Sequence, residues 1–283
     1  MKSDYKHQAL ILVCCHKKDY FCKENGYFPI QVGAAISKID LGIAKDNSGD
    51  NISEKNPNFC ELTAHYWLWK NGPDSKYYGL NHYRRYFNFH PSMILPLSIT
   101  NRREEEMIQH PPVIPDLDSI FKRYDIVVAK PLQYPYPLYM HYCAAHSKED
   151  LLILEHTLNE LYPEYASSFD EILKHSTHFS AYNMFIMPKD RFVHYSEWLF
   201  SILFEVEKRV KISNDPVQAR VFGYMAERLL NVYVHHHHLK TKFLPIIKVS
   251  EEPKSSKFKV KMASLKNSLA EVLIKHTKLI PLK

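Results

Sequence analysis

The sequence predicts an α/β domain built on a mostly parallel central sheet, and three observations carry that prediction. Ala9-Leu10-Ile11-Leu12-Val13 is an unbroken apolar run between polar flanks, the pattern of a strand buried on both faces. Phe59, Leu62, Tyr66 and Trp69 then fall on one helical face, running from Asn56 as N-cap and Pro57 in the first turn to the stop Asn71-Gly72-Pro73. Lys76 to Leu80 follows at once as a second strand. Strand, helix, strand in that order makes a parallel unit whose ligands sit beyond the carboxyl ends of its strands. His16-Lys17 and His82 to Arg85 occupy two such ends.

Later elements continue the alternation. Residues 91 to 118 carry five prolines and read as irregular, with only Arg102 to Gln109 helical. Tyr124 to Ala129 is a strand, Pro131 to Tyr142 a Pro/Tyr-rich loop, and Ser147 the cap of a helix reaching about Leu161. Asn183 to Met187 is a short buried strand, two helices cover about Lys189 to Val210 and Pro216 to Val234, and the core closes near Ile247.

Composition bounds the chemistry. Only 7 glycines occur in 283 residues, and neither G-x-x-x-x-G-K-[ST] nor G-x-G-x-x-G is spelled, so phosphate must be met by side chains or helix ends. The formal charge of +6 resides in a tail: residues 251 to 283 hold eight lysines and three glutamates, leaving 29 basic against 28 acidic residues in the first 250. A near-neutral body argues against nucleic acid as a partner. We divide the chain into a domain over 1–250 and a basic linker with an amphipathic helix, Met262 to Ile274, over 251–283, a pattern that fits a segment lying on an anionic membrane surface and equally a C-terminal helix docked on the core. Five cysteines without C-x-x-C, no signal peptide and no apolar run of about 20 residues predict a cytoplasmic protein whose membrane contact is peripheral.

Candidate chemistry concentrates in His82-Tyr83-Arg84-Arg85, where fixed positive charge and many donors suit a diphosphate. In an extended segment the two arginines would face opposite ways, leaving one as the direct ligand. His16 and Lys17 lie at the neighbouring strand end. The loop Gly49 to Asn56 delivers a helix N-terminus, with Asp50 and Asn51 for hydroxyls or the imide edge of a nucleotide. Tyr136, His141 and His146 in and after the aromatic loop suit a hydroxyl-rich acceptor. Asp116-Leu117-Asp118 spells D-x-D, but its place before an apolar helical stretch makes Asp116 an N-cap. His235 to His238 reads as a surface cluster at a helix end. Glu61, Asp150, Glu197 and Glu227 are the carboxylates available to take a proton, none singled out.

The strings FCELTAHYWLWKN, YYGLNHYRRYF, AYNMFIMPKDRF, SEWLFSILFEVEKR and QARVFGYMAERLLNVY, with HKKDY, PIQVGAAI and GDNISEKN before them, are familiar. From about Leu10 to Ile247 the chain resembles a bacterial family long labelled a domain of unknown function. That family is found in capsular and exopolysaccharide loci and is regarded as sugar-nucleotide glycosyltransferases, some of them galactosyl- or galactofuranosyltransferases. The resemblance implies a single Rossmann-like, GT-A-like domain taking a UDP-sugar and a lipid-linked or free saccharide acceptor at the inner face of the membrane. It adds Gln31, Gly33, Ser53, Asn56, Glu61, Tyr83, Asn183 and Met184 to the donor side. In such folds the strand matching Tyr77 to Leu80 ends in D-x-D, whereas here Asn81-His82-Tyr83-Arg84 follows. His82, Arg84 and Arg85 are therefore expected to neutralise the departing diphosphate, and a Mn or Mg ion would have to come from Asp116 or Asp118. The alternative from another class is a non-catalytic saccharide- or nucleic-acid-binding module built on the same tyrosines and arginines.

Overall fold

A computed structural model describes residues 7–91 and 97–250. Its centre is a 10-stranded sheet. The strands are β1 (His7–Cys15), β2 (Tyr27–Gln31), β3 (Ala44–Lys45), β4 (Ser75–His82), β5 (Arg85–Phe87), β6 (Ile99–Arg102), β7 (Ile126–Ala129), β10 (Phe185–Pro188), β11 (Thr241–Leu244) and β12 (Ile246–Val249), while β8 (Leu132–Gln133) and β9 (His178–Phe179) form a separate ribbon. The main path runs β11-β7-β10-β4-β1-β2-β3. All its pairings are parallel except those of β10, which is antiparallel to both β4 and β7. The expected mostly parallel sheet is present, with β10 turned the other way.

The apolar run of β1 is continuous because both faces are covered. Leu10, Leu12 and Cys14 join the larger core on one side, and Ile11, Val13 and Cys15 join the smaller one beneath. Above the sheet pack α1 (Asn56–Phe59), α2 (Leu62–Asn71), α5 (Leu138–Ala145), α6 (Lys148–Leu161), α7 (Ala166–Asp170), α8 (Lys189–Glu207) and α9 (Val221–His236); α3 (Glu104–Gln109) and α4 (Leu117–Phe121) contribute Met107 and Leu117 to the lower core.

Several boundaries differ from expectation. The single helix expected from Asn56 is two, because Cys60 sits at φ +53° between α1 and α2 and breaks the hydrogen-bond ladder; Asn56 lies inside α1 and is not an N-cap. Pro131 to Tyr142 is not one loop: it contains β8 and most of α5, which Pro137 opens. The irregular stretch includes β6, a strand completed only by pairing with β12. The caps at Ser147 and Asp116 form as expected, each side chain accepting from the backbone N–H of Asp150 and Asp118 respectively. The histidines of residues 235–238 are not a free surface cluster: His236 stacks on Tyr165 at 3.7 Å and His237 bonds the Tyr165 hydroxyl at 2.7 Å. The basic tail, residues 251–283, lies outside the described residues.

Candidate active site

Chain order reverses between β1 and β4: from β1 the chain builds outward through β2 and β3, then returns to add β4 on the other side. Such a switch point opens a crevice at the carboxyl ends of the strands. A cleft of about 1080 Å³ occupies that position. The register Cys14↔His82 brings His16 and Tyr83 together, their rings edge to face at 5.2 Å.

A tight turn at Tyr83 and Arg84 then reverses the chain into β5, and both Arg84 and Arg85 line the cleft. The expectation that only one faces it fails, because the segment is a turn and not extended strand. Arg84 donates from Nε (2.9 Å) and Nη2 (2.6 Å) to Asp19 Oδ2. Arg85 lies 4.5 Å over the Tyr182 ring and makes no ion pair among the described residues. Opposite stands Arg220, whose Nε donates to Cys60 Sγ at 3.2 Å, and Lys248 of β12 completes the basic wall. Burial pushes the Cys60 thiol up to about 12, so it stays neutral.

Two carboxylates line the same cleft, Glu61 just before α2 and Glu227 on α9. Glu61 accepts from Asn183 Nδ2 at 2.7 Å, with His82 Nε2 3.9 Å away. Glu227 accepts from the Tyr182 backbone N–H at 2.8 Å and from Arg228 at 2.9 Å, and burial raises its carboxyl above the ordinary range. His82 donates from Nε2 to the Tyr182 carbonyl at 2.7 Å. Burial, aided by Arg85 and opposed by Glu61, holds its imidazole below the usual range, so His82 is not the fixed positive charge expected from sequence.

The remaining candidates divide. His16, Asn56 and Tyr83 line the cleft, although the Asn56 amide is held by Cys60 O and Thr63 Oγ1. Gln31, Gly33 and Ser53 serve the frame. The Gln31 amide bridges Ile39 O and Leu41 N, Ser53 Oγ donates to the fully buried Asp46, and Gly33 takes φ +64° where a Cβ would strike Asn56. Lys17 lies by Asp19 at 3.7 Å, outside the lining. Asp50 and Asn51 also stay outside: Asp50 accepts from Tyr66 Oη, and Asn51 bonds only its own loop. Met184 is fully buried beneath the sheet. Tyr136 stands outside the lining, His141 lies tilted against Tyr134 at 3.9 Å, and His146 stacks on the cleft residue Tyr224 at 3.9 Å while lining a neighbouring hollow.

Arg220, Tyr224 and Glu227 carry much of this site. Only Glu227 figures among the sequence candidates, as one of four carboxylates. The spacing i, i+4, i+7 of Arg220, Tyr224 and Glu227, which sets them on one face of the first turns of a helix, was the available signal. Asp46 sits in a polar stretch that reads as solvated loop, and no local signal marks it as buried.

A metal finds no fitting place on these residues. Asp118 is held by Lys76 and Tyr77 at the beginning of β4, about 17 Å along the strand from His82, so the D-x-D pair serves the far end of the sheet. Among the described residues no group of three His, Cys, Asp or Glu is disposed to hold an ion.

A family model described as a domain of unknown function, DUF4422, matches residues 10–238. Among solved structures, the apo structure of the bifunctional glycosyltransferase WbbM superposes with TM-score 0.79 at 33% identity, covering 87% of this chain and 46% of that one. The chain thus spans about half the length of WbbM. No curated protein matches.

Proposed function

Because the chain belongs to the family described as domain of unknown function DUF4422, and resembles half of a bifunctional glycosyltransferase, we propose that it is itself a glycosyltransferase. It moves a hexose, galactose or galactofuranose, from a UDP-sugar to a saccharide acceptor in the synthesis of capsule, exopolysaccharide or O-antigen. The observation that carries this reading is a single cleft at the switch point in which Arg85, Arg220 and Lys248, without carboxylate partners among the described residues, face Glu61 and Glu227.

The chemistry suits that arrangement. As the bond from the anomeric carbon to phosphate breaks, negative charge gathers on the departing diphosphate, and cations held in place need no rearrangement to receive it. Each such donor is worth about 3 kcal/mol of barrier by analogy with oxyanion sites. Arg84 shares its charge with Asp19, so Arg85 and Arg220 are the stronger partners. The neutral His82 fixes the Tyr182 carbonyl instead.

The acceptor in this reading is carried at the cytoplasmic face of the membrane. Lys248 to Ser250 line the cleft, and the basic segment follows them in sequence. Arg85→Ala is expected to lower release of UDP from UDP-sugars at least about a hundredfold, and Arg84→Ala by less, each with the fold intact by circular dichroism. Wild-type rates in both variants would overturn the reading.

A further inference from the structure

Tyr182 and Asn183 are adjacent non-glycine residues at φ +77° and +51°. One such residue is uncommon and two in succession are held only by strong surroundings; outliers of this kind gather at functional sites. Here the surroundings are the cleft itself. Glu227 Oε1 takes the Tyr182 N–H at 2.8 Å, His82 Nε2 donates to the Tyr182 carbonyl at 2.7 Å, and Asn183 Nδ2 donates to Glu61 Oε1 at 2.7 Å and to Gly223 O at 3.0 Å. Asn183, expected as a hexose ligand, is 3% exposed and stands behind Glu61, not on the cleft surface, and its amide is placed to hold Glu61.

The turn distinguishes the two carboxylates. Both oxygens of Glu227 are engaged by the protein, Oε1 by the Tyr182 N–H and Oε2 by Arg228 Nη1 at 2.9 Å. Glu61 gives up only Oε1; its Oε2 has no partner among the described residues, and its side chain borders the cleft at 10% exposure. The Asn183 amide cannot be flipped without turning its oxygen onto both a carboxylate and a carbonyl, so the oxygen it engages is fixed.

Resting on the transferase reading, the geometry points to Glu61 as the carboxylate that acts on the transferred sugar. Asn183 is the positioning residue that holds its Oε1 and leaves Oε2 for substrate. Glu227 has the different task of holding the turn.

The test uses the full chain with a panel of UDP-hexoses and octyl galactoside as acceptor, reading UDP release alongside UDP affinity by calorimetry. Glu61→Gln lowers kcat at least about a hundredfold while UDP affinity stays within about twofold. Asn183→Gly keeps the left-handed backbone, since glycine adopts it freely, but frees Glu61; kcat falls about tenfold or more with the KM for donor unchanged. In the Glu61→Gln background Asn183→Gly has no further effect beyond about twofold, a non-additivity that a merely structural role would not give. Should Asn183→Gly fail to fold, Asn183→Asp keeps the size and the backbone tolerance, replaces the donor with an acceptor, and carries the same expected loss. An undiminished kcat in Glu61→Gln, or fully multiplicative effects in the double variant, overturns the assignment alone. Wild-type protein that neither binds UDP nor releases it from any UDP-hexose overturns the transferase reading and the assignment with it.

Discussion

His65 is completely enclosed by Phe185, Phe192, Tyr195 and Phe200, and burial alone lowers its imidazole to about 3. Ser196 Oγ donates to Phe192 O, so at 2.8 Å the His65 Nε2 must be the donor to Ser196 and the ring is neutral. A folded-state value below the unfolded one means that the unfolded chain binds the extra proton first as pH falls. This contribution is therefore fully present above about pH 6.5 and is lost progressively down to about pH 3. Urea midpoints should drop between pH 7 and 4, and His65→Phe should flatten that slope; an unchanged slope would assign the acid lability elsewhere. Residue identity alone says little about such roles. His82, at a strand end, touches the cleft, while His65, the same residue type on a helix, is 1% exposed and serves the core.

Among elements, the loops that build the rim of the cleft depend on one buried carboxylate. Asp46 accepts from Gly33 N (2.8 Å), Ala34 N (3.0 Å), Ser53 Oγ (2.5 Å) and Thr63 Oγ1 (2.6 Å), tying the segments after β2 and β3 to the start of α2. Removing it strands several donors, each costing about 1–3 kcal/mol when buried without a partner. Asp46→Ala should lower stability by roughly 3 kcal/mol or more, seen as a lower urea midpoint at unchanged slope. A loss below about 1 kcal/mol would show that solvent replaces the carboxylate. The break at Cys60 belongs to the same scale. It turns α2 so that Glu61 enters the cleft, whereas the sequence pattern of an uninterrupted helix places Glu61 one residue inside a regular turn.

For the whole molecule, charge is divided between a near-neutral body and the basic segment over 251–283. Near an anionic leaflet each lysine contributes up to about 1 kcal/mol, so half of eight suffices for reversible attachment. Deleting residues 251–283 should abolish sedimentation with anionic liposomes at low salt, and high salt should do the same to the full chain; binding that survives deletion would reject the anchor. Among the described residues no helix is long and apolar enough to cross a membrane. The α/β class, the doubly covered β1, the cluster at the end of β4 and the D-x-D as a helix cap were legible because each is set by short-range pattern: apolar periodicity, capping chemistry and strand ends. The direction of β10, the left-handed Tyr182-Asn183 turn, the burial of Asp46 and the convergence of Arg220 and Glu227 on Arg85 were decided only by the tertiary structure. Each depends on partners more than 10 residues away in sequence, such as Glu61 with Asn183 at a separation of 122, and no local propensity encodes which distant group will satisfy a buried donor or carboxylate.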